Sequence, residues 1–135
     1  RLPLSWWEAR MQPGDDASEM VFGAFDGERL VGVAGLSFEA REKLRHKAHL
    51  FGMFVHAEAR QAGAGRQLVR AVQDAARARP GVRVLQLTVT EGNVPAVTLY
   101  ERCGFVAFGV EPMAVCSGGL FFGKVHMWCD LGKKA

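Results

Sequence analysis

Residues 60–68 read RQAGAGRQL, two glycines flanked by arginines at the junction of two different patterns. Before them lies an apolar run, HLFGMFV at 49–55. After them Leu68, Val69, Val72, Ala75 and Ala76 recur at helical spacing, while Arg66, Gln67, Arg70, Gln73, Asp74 and Arg77 fill the other face. The junction therefore predicts a strand, a glycine turn and an amphipathic helix. A helix N-terminus leaves its first N–H groups unpaired, and the dipole adds positive potential there. Gly63 and Gly65 would let the backbone approach an anion without Cβ interference, with Arg60 and Arg66 supplying charge. The same glycines also suit a plain strand-to-helix turn that needs them only for its dihedrals.

The familiar nucleotide loops do not fit. A Walker loop requires G-x-x-x-x-G-K-[ST], and no such lysine and hydroxyl follow Gly65. A dinucleotide fingerprint requires a third glycine where this chain has Leu68.

Working outward, Pro80-Gly81 stops the helix, and Arg83–Thr90 (RVLQLTVT) alternates as a strand. Asn93 suits the N-cap of a second helix, with Pro95 in its first turn and Gly104 at its end. Towards the N-terminus, Met20–Phe25 and Arg29–Phe38 read as a hairpin turning at Asp26-Gly27, and Ala48–His56 as the next strand. The charged stretch Glu39–Lys47 is a solvated connection. SWWE at Ser5–Glu8 has capping-box spacing, so a short helix is expected from Trp6, ended by Pro13–Asp16. Phe105–Val110 and Lys124–Leu131 are expected closing strands. Between them Glu111–Gly123 reads as a loop or small hairpin turning at Gly118-Gly119, and the tail Lys133–Ala135 as frayed. Residues 48–90 should form a right-handed crossover between parallel strands. The expected fold class is thus α/β (α+β), a central mixed, mostly antiparallel sheet with flanking helices, in one domain over residues 1–135.

The totals agree with a globular domain. The 135 residues are 49% hydrophobic and 23% charged, too apolar for disorder, and no run approaches a membrane span. Cys103, Cys116 and Cys129 have no metal-ligand spacing, so no metal is expected, and a reducing, cytoplasmic setting is. The net charge of +3 favours anionic ligands. REKLRHK at 41–47 lacks the interleaved aromatics of a nucleic-acid surface, so neither nucleic acid nor membrane is an expected partner.

Arg60-x-x-Gly63-x-Gly65, between strand and helix, resembles the acetyl-CoA loop of the GCN5-related N-acetyltransferase (GNAT) family. The lead-in VHAEARQAGAG is similar to that family's V-H-P-E-x-R-x-x-G-x-G form, with Ala57 at the proline. A second segment, NVPAVTLYERCGF at Asn93–Phe105, resembles the family's later helix. The resemblance runs from about Arg29 onward. The expected N-terminus departs from it, because the family's first strand and helix have no counterpart before LPLSWWEARM.

The resemblance implies transfer of an acetyl group from acetyl-CoA to a primary amine of a small molecule or protein by direct attack. A catalytically weak acetyl-CoA-binding or regulatory domain of the same fold is the alternative. It implies cofactor contacts at Met53, Phe54, Val55, Arg60, Gln61, Ala62, Gly63, Ala64, Gly65, Arg66, Asn93, Ala96 and Tyr100. Here the loop amides from Gln61 to Arg66 would take the pyrophosphate, and a backbone N–H near Phe54 or Val55 would stabilise the oxyanion. Room for the pantetheine arm is expected where the parallel strands splay after Val55 and Thr88. Tyr100 takes the place of the general acid, with Glu91 or His49 as candidate base. His56, His46 and His126 have no assigned role. Trp6, Trp7 and Met113–Phe122 are candidates for the acceptor side. A homodimer is left open, with Lys124–Leu131 as a contributing strand.

Overall fold

The computed structural model describes residues 5–10, 18–60 and 62–132, the first group as backbone alone. Strands β1 (Ser5–Arg10), β2 (Glu19–Asp26), β3 (Arg29–Phe38) and β4 (Lys47–Val55) come first in the chain. A single turn of helix, α1 (Ala57–Arg60), leads into α2 (Ala64–Ala78). Then follow β5 (Val84–Thr90), α3 (Val94–Arg102), β6 (Val106–Ser117) and β7 (Leu120–Asp130). The seven strands form one sheet in the order β1-β2-β3-β4-β5-β7-β6. Its pairings are antiparallel except β4–β5, which is parallel and crosses over through α2, as expected.

One expectation is corrected and another is narrowed. Ser5–Arg10 is not a capped helix but a strand paired to β2, from Ser5↔Phe25 to Arg10↔Met20. The capping-box spacing is a local preference, whereas β2 offers a free edge and the Trp6-Trp7 pair favours extended backbone, so pairing wins. Of the two readings of Glu111–Gly123, the hairpin turning at Gly118-Gly119 is the one found, and it is the outer half of a longer β6–β7 hairpin. Gly118 (φ 59°) and Gly119 (φ 79°) make its two-residue turn, which requires positive φ at both positions. Pro112 falls where the β6–β7 register shifts between Glu111 and Val115, on the edge strand where a missing N–H is tolerated. The expected stop at Pro13–Asp16, Gln61 and the Lys133–Ala135 tail lie outside the described residues.

The core lies between the sheet and α2 with α3. From α2, the fully buried Leu68, Val69, Val72 and Ala76 pack with Leu36, Ala48, Leu85 and Met127 of the strands. Apart from the Tyr100 hydroxyl and the cysteine thiols, Gln73 is the one buried polar side chain among the described residues. It donates to the Cys103 carbonyl at 2.8 Å and to Cys129 Sγ at 3.7 Å, joining α2 to the end of α3 and to β7. Alternation along the strands sends Leu85, Leu87 and Val89 to this face, together with Met127 and Cys129. Gln86, Thr88, His126 and Trp128 therefore point to the other face.

Candidate active site

Where β4 and β5 meet, their ladder is short. It covers Lys47↔Val84, Ala48↔Leu85 and His49↔Gln86, and then stops. The strands diverge from Leu50 onward, earlier than the splay expected after Val55. Just past this point β4 carries one residue more than β3, because Val33 faces Phe54 but Gly35 faces Phe51. Gly52, at φ 64°, occupies this bulge. The extra residue resets the alternation, so Leu50, Met53 and Val55 face the core while Phe51 and Phe54 are exposed. An isolated glycine inside an apolar strand is itself a bulge signal, and Gly52 in LFGMFV could have been read that way.

The divergence opens a cleft of about 1290 Å³. One wall is Leu50–Val55 of β4, whose backbone lacks a β5 partner there. The opposite wall is Thr88 and Val89 of β5 with one face of α3, including Asn93, Ala96 and Tyr100. The α1–α2 junction closes one end with Arg60, Ala62, Gly63, Gly65 and Arg66. The cleft thus brings together Met53, Phe54, Val55, Arg60, Ala62, Gly63, Gly65, Arg66, Asn93, Ala96 and Tyr100. Ala64 is fully buried beneath it.

The two glycines of the loop do different things. Gly63 caps α2 in the left-handed region at φ 86°, and a Cβ added there would meet nothing within 4 Å. Its role is the dihedral. At Gly65 an added Cβ would stand 3.1 Å from Leu99 Cδ2, so this glycine lets α2 and α3 close on each other. The loop amides also divide. Ala62 and Gly63 donate to the carbonyls of Ala59 and Arg60, and the first α2 bond runs from the Gln67 N–H to the Gly63 carbonyl. The N–H groups of Ala64, Gly65 and Arg66 have no partner within the helix.

Charge follows the same geometry. Arg60, Arg66 and Arg102 line the cleft, and no carboxylate or histidine does among the described residues. Arg60 Nε donates to the Val55 carbonyl at 3.0 Å, which holds its guanidinium at the rim. Sequence reading passed over Arg102; it follows Pro95, Thr98 and Leu99 along one face of α3, a spacing that was available.

Asn93 caps α3 by accepting the Ala96 N–H at 3.3 Å. Tyr100, two turns on, is buried, with its ring edge-on to Phe105 at 5.8 Å. Burial, with the neighbouring Cys103 thiol adding to it, pushes its hydroxyl up to about 12. The Cys103 thiol is itself raised by burial, against the pull of Arg70 and Arg66.

The two candidate bases lie outside the cleft walls. His49 Nε2 meets Glu39 Oε2 at 2.9 Å on the sheet face away from α2. Glu91 is exposed and lies over β7, its Oε1 2.7 Å from where a Gly123 Cβ would stand. His56 stacks edge-on against Phe54 at 5.3 Å.

The mixed sheet is thus opened between its parallel strands, with a helix N-terminus and a cationic rim at the opening. Residues 2–105 match the model of the Acetyltransferase (GNAT) family, and the chain belongs to that family. Solved structures agree. An acetyltransferase of the GNAT family from Streptococcus pneumoniae is 27% identical at a TM-score of 0.78, covering 84% of this chain and 67% of that one. The ribosomal-protein-alanine N-acetyltransferase of Brucella melitensis is 27% identical at 0.74, covering 83% and 68%. A putative acetyltransferase of Salmonella typhimurium, solved with its cofactor acetyl-CoA, shares the fold at 21% identity and 0.75, covering 87% and 67%. The chain thus spans about two thirds of each. Among curated protein sequences none matches. No helix among the described residues is long and apolar enough to cross a membrane.

Proposed function

We propose that the chain is an N-acetyltransferase that moves the acetyl group of acetyl-CoA to a primary amine by direct attack. The observation that carries this is the cleft itself: an unpartnered, bulged strand on one side and free helix amides at the end. Three arginines line it, with no carboxylate among the described lining residues. That composition suits a ligand with a phosphorylated end and an amide-bearing arm.

In this reading the N–H groups of Ala64, Gly65 and Arg66 bind the pyrophosphate at the positive end of α2, with Arg60 and Arg102 at the rim. The backbone of Met53–Val55 pairs with the amides of the pantetheine arm as a strand would, and small Ala96 leaves the arm room. Acetyl-CoA, when bound, supplies an activated thioester. An N–H of β4 near the Gly52 bulge, at Phe54 or Val55, faces the carbonyl oxygen as it gains charge; a preorganised donor of this kind is worth about 3–4 kcal/mol of barrier. Tyr100 stays protonated throughout the working range. Full transfer from a hydroxyl near 12 to a thiolate of ordinary basicity is uphill, so Tyr100 works by hydrogen-bonding the departing sulfur, and its proton moves only in concert with departure.

The acceptor is a primary amine. Two related structures are a ribosomal-protein-alanine N-acetyltransferase and a chimeric spermidine N-acetyltransferase, and an amine acceptor for this chain is in keeping with both. A thiol-release assay with acetyl-CoA over polyamines, amino acids, aminoglycosides and peptide N-termini tests the reading. Release with at least one amine class supports it, and tight acetyl-CoA binding with no release on any class would reduce the chain to a binding domain.

A further inference from the structure

Among the described residues, the cleft lining holds no group able to take a proton from an ammonium. Its titratable lining residues are Tyr100, protonated at working pH, and three arginines. A primary amine arrives as an ammonium and must lose a proton before it can attack. Among the described residues, a side-chain acceptor for that proton therefore stands outside these walls.

We infer that His126, held by Glu111, takes this proton on the sheet face away from α2. Thr88 points to that face and lines the cleft where β5 leaves β4. His126 is its direct cross-strand partner on β7. Directly paired side chains stand about 5 Å apart at Cβ, which brings the imidazole within reach of an amine beside Thr88, directly or through one water. His49 is placed less well: it pairs with Gln86, which does not line the cleft, one row before the strands separate. Glu91 extends over Gly123, on the helix side of the sheet.

The surroundings of His126 suit a base. Its Nε2 lies 3.1 Å from Glu111 Oε1. A carboxylate only accepts, so Nε2 carries the proton and Nδ1 is left with the free lone pair. Phe108 packs edge-on to the ring at 5.9 Å. The charged groups facing it among the described residues are Glu111 of β6 and Lys124 of β7, and Lys124 stands directly opposite Glu111. From β5 the neighbours on that face are Gln86, Thr88 and Thr90, none of them titratable in this range.

The balance is complete. The ammonium gives one proton to His126 Nδ1, and the freed nitrogen lone pair forms the C–N bond. The C–S bond breaks with its electron pair on sulfur. The second nitrogen proton ends on that sulfur as the free thiol, and His126 returns its proton to water.

This inference rests on the acetyl-transfer reading, and one experiment separates the two. With an amine accepted in the thiol-release screen, kcat/KM is measured between pH 5.5 and 9 for the unaltered chain, H126Q, H126N and E111Q. Acetyl-CoA binding in each serves as the check of folding. We expect H126Q and H126N to lose roughly 10²- to 10⁴-fold at neutral pH, with acetyl-CoA affinity within about twofold. Their acid limb should be replaced by a continuous rise with pH. E111Q should lose about tenfold and keep a limb. Retention of activity within threefold and of the acid limb in a His126 variant that binds acetyl-CoA overturns the inference and leaves acetyl transfer intact. If neither His126 variant binds acetyl-CoA, an unchanged rate in E111Q overturns it instead. No transfer by the unaltered chain to any amine overturns both.

Discussion

Gly65 and Leu99 set the spacing between the two helices that frame the cleft: a Cβ on Gly65 would stand 3.1 Å from Leu99 Cδ2. Two residues earlier Gly63 sits in open space but at φ 86°. The same motif thus contains one glycine required by packing and one required by backbone angle. Gly65→Val should destabilise the fold by about 1–3 kcal/mol, and the companion change Leu99→Ala should recover much of that. Gly63→Ala should cost about 1–2 kcal/mol, and Gly63→Asn less, because asparagine tolerates the left-handed region. Denaturant midpoints check all four. Equal losses for alanine and asparagine at position 63 would contradict the dihedral account.

Gln73 makes a comparable link at the other end of α2. Its amide donates to the Cys103 carbonyl, one of the acceptors that α3 leaves unpaired at its C-terminus. Gln73→Leu keeps the volume and strands that carbonyl in the core, at a cost of about 1–3 kcal/mol. Gln73→Glu should be worse near neutral pH, since a carboxylate cannot donate to a carbonyl. Thermal unfolding of the two variants gives the order, and Leu being the less stable would refute this role.

Much of this architecture was legible from residues alone because its signals are local and strong. The period switch at RQAGAGRQL, the Asn93 cap and the Asp26-Gly27 turn each fix a boundary within a few residues. Ser5–Arg10 misled because a capping spacing of four residues says nothing about the free β2 edge beside it. The turn of the outer hairpin was legible at Gly118-Gly119, but its length was not, because it depends on a register shift that accommodates Pro112 on the edge strand. The site divided the same way. The loop and the α3 face were readable as motifs. The β4 bulge and the early end of the β4–β5 ladder depend on register between distant segments. So does the placing of His126 beside Thr88, which no spacing along the chain encodes.

Arg102 offers a clean test of the cationic rim. It lines the cleft, is exposed, and makes no ion pair or hydrogen bond among the described residues, so its removal disturbs little else. Arg102→Ala should weaken acetyl-CoA binding roughly three- to tenfold at low ionic strength, as expected for an exposed charge–phosphate contact. The difference should shrink at 0.5 M salt, where the Debye length falls to about 4 Å. Calorimetric titration at two salt concentrations checks it. A loss that is independent of salt would point to packing instead of charge.

Tyr100 joins catalysis to alkaline stability through one buried hydroxyl. Its folded-state value, about 12, lies above the ordinary 10. The folded chain therefore holds this proton where the unfolded chain has begun to lose it. The resulting stabilisation is fully present below pH 10 and is lost as pH rises from 10 through 12, by up to about 3 kcal/mol. Cys103 and Cys129, both raised by burial, slope the same way from a lower pH. Tyr100→Phe keeps the ring against Phe105 and removes the hydroxyl. Its denaturant midpoint should fall less steeply above pH 10 than that of the unaltered chain. In the same variant kcat should drop by about 10²-fold with the KM for acetyl-CoA nearly unchanged, because the hydroxyl acts on the departing sulfur and contributes little to ground-state binding. A raised KM with kcat preserved would make Tyr100 a binding residue, and an unaltered alkaline slope would show that its proton is not held by burial.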